Sequence, residues 1–174
     1  MKPFNYTLDP EQKEFCKRTL AAFYSGSQPA TKVLNIAPTG FGKTVVASAL
    51  AYYQAKQGKK TLFIADTNEL ISQAQAEFYD AANIISALEK GQDRGSLHTD
   101  VVIASIQTLR HDKNLKRYNP DHFELVIADE AQLSRSASWA KVLNYFHDGG
   151  AKILGITATP DGKNLMNFYD VSAY

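Results

Sequence analysis

Two short stretches hold the residue types and spacings that could do chemistry. The first is APTGFGKT, Ala37 to Thr44, set between the apolar run VLNI and the helix-like VVASALAYY. Glycine accepts backbone angles closed to other residues, so Gly40 and Gly42 let successive N–H groups turn inward on one point. The helix that follows adds its positive N-terminal end. A lysine and a threonine then follow Gly42, which a plain strand-to-helix turn would not need. The spacing fits G-x-x-x-x-G-K-[ST], with Ala37 in the place of the first glycine. The expectation is a cradle for the phosphates of a nucleoside triphosphate, formed by Ala37, Pro38, Thr39, Gly40, Phe41, Gly42, Lys43 and Thr44. Lys43 would reach the β- and γ-phosphates, and the Thr44 hydroxyl would bind Mg²⁺. The second stretch is LVIADEAQ, Leu125 to Gln132. Two adjacent carboxylates at the end of an apolar strand repel each other unless a cation is near. Asp129 is the candidate partner of Mg²⁺, and Glu130 is placed to polarise an attacking water. Read alone, the acid pair could be a helix cap; an upstream phosphate loop argues against that.

The elements that must position these residues are legible as well. Asp9-Pro10-Glu11-Gln12 has the form of a helix start, with Asp9 as cap, Pro10 at the first turn and Gln12 as capping-box partner. That helix runs to about Tyr24. Short apolar strands then alternate with helices. Val33–Ile36 precedes a helix over Lys43–Gln57, and Thr61–Ala65 precedes one over Glu69–Tyr79. Val101–Ser105 leads into a helical turn near Gln107–Arg110. Leu125–Asp129 precedes a helix over Ser138–Phe146, and Lys152–Ala158 closes the series. Strands this apolar and β-branched, mostly separated by helices, predict an α/β fold with a mainly parallel sheet covered on both faces. GQDRGSLHTD and HDKNLKRYNPDH read as loops. Ligands of such sheets gather at the carboxyl ends of the strands.

Composition sets the limits. The 174 residues amount to one domain, 44% hydrophobic and 21% charged, which is the make-up of a folded globular chain. A net charge of +1 means that any surface for a polyanion must be local. The basic clusters, Lys56–Lys60 and Arg110–Arg117, read first as solvated helix ends or loops. Cys16 is the only cysteine, which excludes a disulfide framework and a thiolate metal site. His98, His111, His122 and His147 lack metal-ligand spacing. No run approaches membrane-spanning length and the N-terminus has no apolar targeting core, so the cytoplasm is the expected compartment.

APTGFGKT, DEAQ and TATP (Thr157 to Pro160), in that order, resemble the N-terminal RecA-like ATP-binding domain of superfamily 2 helicases, the DEAD/DEAH-box-like group. LDPEQ (Leu8 to Gln12) resembles the adenine-reading glutamine motif. DTNEL (Asp66 to Leu70) and ASIQTL (Ala104 to Leu109) resemble strand-contacting motifs. The resemblance covers about Leu8 to Tyr174 and is nearest to bacterial and phage DNA helicases and restriction-type motor subunits. It implies a RecA-like P-loop NTPase fold over residues 1–174, with the Thr157 strand between the phosphate-loop strand and the Asp129 strand. It implies ATP and Mg²⁺ as cofactors, Glu130, Lys43 and Gln132 as catalytic groups, and Gln12 as adenine reader. Thr67, Asn68, Ser105, Gln107 and Thr108 would lie near a nucleic-acid strand, while Thr157 and Thr159 would couple that grip to the nucleotide.

The chain departs from the family pattern in places. Asn68 stands where the family often has arginine, so phosphate affinity here loses a charge. Gln132 ends the box where His or Asp is usual. Gln12 also has a helix-cap role, expected to need a different rotamer from adenine reading. The family's second lobe and its arginine finger, worth about 10³–10⁵ in turnover, are not in this sequence. The isolated lobe is therefore expected to bind nucleotide weakly and hydrolyse it poorly, completed by a second lobe on a longer chain or in trans. DNA is favoured over RNA because ASIQTL and DEAQ differ from the strict RNA-type pattern. A P-loop ATPase switch without a nucleic-acid partner, an RNA helicase lobe and a passive binding module with a dead nucleotide site remain the alternatives.

Overall fold

A computed structural model describes residues 3–131, 136–158 and 167–172. The first helix, α1 (Pro10–Tyr24), starts with the expected capping box: Asp9 accepts from the Gln12 N–H at 2.8 Å, and Gln12 Oε1 accepts from the Asp9 N–H at 3.2 Å. After it come β1 (Lys32–Ile36), α2 (Lys43–Ala55), β2 (Thr61–Ala65), α3 (Asn68–Ala82) and β3 (Ala87–Glu89). The chain continues through β4 (Val101–Ser105), the short helices α4 (Ile106–Leu109) and α5 (Asp112–Leu115), and β5 (Leu125–Asp129). It ends in α6 (Ala137–Asp148), β6 (Lys152–Thr157) and β7 (Val171–Ser172).

The strands form one seven-stranded sheet in the order β3-β4-β2-β5-β6-β1-β7, and each neighbouring pair is parallel. Side chains alternate across the pleat, so each strand feeds two cores. Val33, Phe63, Ile103, Ile127 and Leu154 pack with residues of α1, α2 and α3 on one face. Leu34, Ile64, Val102, Val126 and Ile153 pack on the other face against α6, with Trp139, Val142, Leu143 and Phe146. The mainly parallel α/β sheet covered on both faces is as the sequence predicts, and β6 lies between β5 and β1 as the resemblance requires. Register sets the tips level: Ile36 lies opposite Thr157, Asp129 lies opposite Ile156, and the Ala37 N–H donates to the Thr157 carbonyl at 2.8 Å.

Some elements differ from expectation. α2 stops at Ala55 rather than Gln57, and Gly58 turns the chain with φ +70°. α3 continues past Tyr79 to Ala82, where Asn83 closes it in the left-handed region at φ 52°. The edge strands β3 and β7 and the turn α5 are additions. β3 hides because SALEK lacks a β-branched run and places the charged Glu89 at a fully buried position. The sheet tolerates that carboxylate because Arg117 meets it at 2.5 Å, Tyr118 donates to it at 3.0 Å and the Gly95 N–H donates at 2.8 Å. Cys16 is half-buried against α2, and burial pushes its thiol up to about 12, so it is a packing residue. Among the described residues no helix is long and apolar enough to cross a membrane.

Candidate nucleotide site and an adjoining polar pocket

The phosphate-loop residues occupy the turn between β1 and α2. Gly40 and Gly42 both adopt left-handed angles, φ +85° and +82°. Gly42 is the N-cap of α2, and no side chain bonds there. α1 and α3 instead carry side-chain caps, from Asp9 and from Thr67, which accepts from the Leu70 N–H at 3.2 Å. An uncapped helix start leaves its first N–H groups available to an anion. A Cβ on Gly42 would stand 2.7 Å from Gln12 Nε2, so the glycine also makes room for that amide.

Gln12 takes the expected helix-cap role and adds a contact to the loop. With Oε1 on the Asp9 N–H, its Nε2 donates to the Phe41 carbonyl at 2.9 Å. One rotamer therefore closes the helix cap and braces the phosphate loop together. Among the described residues the amide's second N–H and second oxygen lone pair have no further partner.

Thr39, Gly40, Gly42, Lys43 and Thr44 share a cleft of about 350 Å³ with Asp129 and Glu130 from the tip of β5. Asp129 is 7% exposed. Burial and then the adjacent Glu130 charge raise its carboxyl above the ordinary range, against the opposing pull of the Lys43 ammonium and the Glu130 N–H, which donates at 3.1 Å. Glu130 holds φ 64°, a costly region for a non-glycine residue. The acid pair therefore carries electrostatic and backbone cost. A divalent cation would relieve the electrostatic part, so the donor set fits Mg²⁺. Among the described residues no cluster of three His, Cys, Asp or Glu could hold a metal alone. Mg²⁺ typically takes one or two protein carboxylates and completes its shell with phosphates and water. Leu70, Gln73 and Glu77 of α3 form the outer wall. Sequence reasoning missed this wall; its only signal was one helix face at i, i+3 and i+7.

A second pocket, about 690 Å³, opens at the tips of β2, β3 and β4. Thr67, Asn68, Ser105, Gln107 and Thr108, the expected strand-contacting residues, all line it. Several of their polar atoms are already engaged. Ser105 Oγ donates to Gln107 Oε1 at 2.8 Å, Gln107 Nε2 donates to Asp66, and Thr108 Oγ1 accepts from the Gly91 N–H at 2.9 Å. The pocket also takes Asp66, the first residue of DTNEL, and Lys90, Gly91, Arg110, His111 and Asn114, which no motif marked. Thr157, fully buried, ends β6 between β5 and β1, the two strands whose tips carry the cleft residues. Gln132 and Thr159 lie outside the described residues.

A phosphate loop after β1, an Asp-Glu pair at the tip of β5 and a threonine-ended strand between them are the arrangement of the N-terminal RecA-like domain of superfamily 2 helicases. Solved structures share this fold. The helicase domain of Hef from Pyrococcus furiosus superposes with a TM-score of 0.73 at 23% identity, covering 90% of this chain and 35% of that one. The SWI2/SNF2 ATPase core of Sulfolobus solfataricus, solved in complex with double-stranded DNA, gives 0.73 at 19% identity, covering 98% and 37%. Residues 5–162 match the family described as type III restriction enzyme, res subunit, and the chain belongs to that family. The Schizosaccharomyces pombe protein irc3, named as a mitochondrial ATP-dependent helicase, is 30% identical over 182 residues, spanning 98% of this chain and 29% of irc3. The chain thus spans less than a third of that relative's length.

Proposed function

We propose that the chain is the ATP-binding lobe of a nucleic-acid-dependent motor, a helicase or translocase, with DNA favoured as its track. One observation carries this reading: Lys43, Thr44, Asp129 and Glu130 face a single cleft at the carboxyl edge of the sheet. In this reading the N–H groups of the loop and the start of α2 hold the triphosphate. Lys43 neutralises charge on the β- and γ-phosphates, and Thr44 and Asp129 hold Mg²⁺. The bound cation supplies Lewis-acid polarisation of the phosphoryl oxygens. Glu130 orients water for in-line attack and receives its proton. Gln12 carries the adenine contact that the resemblance implies, while bracing the loop through Phe41. Gln132, Thr157 and Thr159 relay nucleotide state to the polar pocket, where Thr67, Asn68, Ser105 and Thr108 meet the strand. Gln107 acts there by holding Asp66 and Ser105 in place.

A second RecA-like lobe closes this cleft and supplies the arginine finger, so residues 1–174 alone, as a single first-lobe domain, turn over ATP slowly. The DNA complex of the SWI2/SNF2 neighbour supports DNA as the track, as do ASIQTL and DEAQ. A cytoplasmic location belongs to the same proposal. ATP turnover by the full-length protein, with and without single-stranded DNA, tests it. The expected result is stimulation by DNA that Lys43→Ala abolishes. Turnover indifferent to DNA and RNA would instead favour a P-loop ATPase switch, and stimulation by RNA alone would make this an RNA helicase lobe.

A further inference from the structure

We infer that Lys90 and Arg110 are the phosphate-gripping cations of this lobe, lining the polar pocket at the tips of β2, β3 and β4. The inference rests on the nucleic-acid reading above. Hydroxyls and amides can hydrogen-bond a phosphate, but they release no counterions. Charged contacts must supply the long-range attraction and the salt dependence. Asn68, Thr67, Ser105 and Thr108 are all uncharged, so the charge must come from elsewhere in the same pocket.

The ion pairs leave a selective remainder. Arg117 and Arg94 are taken by the buried Glu89, at 2.5 Å and 3.6 Å. Lys116 and Lys141 are taken by Asp112, and Lys59 by Glu124. Among the described residues, the side chains of Lys90 and Arg110 enter no ion pair or hydrogen bond, and both line the pocket. Their backbones are fixed on each side. Lys90 exchanges main-chain hydrogen bonds with Asp93, at 3.3 and 2.9 Å, and follows the anchored Glu89. The next residue, Gly91, donates to Thr108 Oγ1. The Arg110 N–H donates to the Ile106 carbonyl at 2.9 Å, while its own carbonyl accepts from Lys141 Nζ at 2.8 Å.

Asn114 steadies the wall between Lys90 and Arg110: at 7% exposure it lines the pocket, and its Nδ2 donates to the Thr108 carbonyl at 3.0 Å. The Asp66 carboxylate, held by Gln107, sits in the same pocket and repels phosphate.

Binding of a fluorescein-labelled oligo-dT to the full-length protein, over a series of salt concentrations without nucleotide, tests this. For a single strand each neutralised phosphate adds about 0.7 to the slope of log K against log salt. Lys90→Ala and Arg110→Ala should each lower the slope by about 0.7, and the double variant by about 1.4. Lys90→Arg should restore it. Lys113→Ala, a change to an exposed cation on the same segment outside the pocket, should leave the slope unchanged, and Asp66→Asn should tighten binding. A wild-type slope in the double variant, or an equal fall in Lys113→Ala, would overturn the assignment while leaving the nucleic-acid reading intact. Failure of the wild-type protein to bind oligo-dT or oligo-rU would remove that reading and this inference with it.

Discussion

The nucleotide cleft and the polar pocket share one edge of the sheet, yet they are built from different materials. The cleft is largely main chain. Gly40 and Gly42 turn left-handed, and α2 begins with no side-chain cap. The pocket is side chain. Thr67 spends its hydroxyl on its own helix, Thr108 on Gly91, and Gln107 on Asp66 and Ser105. A backbone site leaves its donors open for one ligand shape, the oxygens of a phosphate. A side-chain site spends much of its polarity on holding itself together, and recognition passes to the groups left over.

That contrast can be broken by changes that reach one site alone. The largest effect belongs to Glu130→Gln, which should lower ATP turnover of the full-length protein by about 10²–10⁴ while nucleotide binding persists. Loss of binding in a nucleotide titration would recast Glu130 as a structural acid. Lys43→Ala should cost about 10²–10³ in turnover, and nucleotide-free DNA affinity should stay at the wild-type value. A matching fall in DNA affinity would merge the two regions into one.

Smaller changes sharpen the comparison. Gly42→Ala places a side chain at φ +82° and against Gln12. A left-handed alanine costs about 1–2 kcal/mol, so the melting temperature should fall by about 2–8 °C, with weaker nucleotide binding. Thr67→Ala removes the cap of α3, about 1 kcal/mol or about 2–4 °C, and should leave nucleotide affinity intact. The smallest effect is a pH dependence. Because the folded-state pKa of Asp129 is raised, the folded form holds that proton more tightly than the unfolded chain does. Its contribution to stability is thus most favourable at low pH and is lost as pH rises from the unfolded value through the folded one. Asp129→Asn should melt higher than wild type at neutral pH without ligand, and the gap should close on acidification. A gap that widens toward acid would contradict the burial of that carboxylate.

The cleft was readable from sequence because its parts are consecutive: a glycine-lysine-threonine run after one strand and an acid pair after another. The sheet was readable from the same apolar runs. The pocket was half-readable. Thr67, Asn68, Ser105, Gln107 and Thr108 follow predicted strands and do converge. Lys90 could not be placed, because its strand has a buried glutamate in its last position and no apolar signature. Arg110 sat in a basic cluster whose members look alike in sequence. Only the fold shows that Arg117 turns in to Glu89 and Lys116 to Asp112. Those pairings join β3, the segment over 110–118 and α6, and only the fold brings them together.

The Gln12 amide links the first turn of α1 to the turn that precedes α2. Fraying at the start of α1 therefore loosens the carbonyl of Phe41, and a guest that stiffens that turn should slow amide hydrogen exchange at residues 12 and 13. A partner that peels back the chain before residue 10 would, by the same bond, loosen the turn over residues 37–42 without touching it.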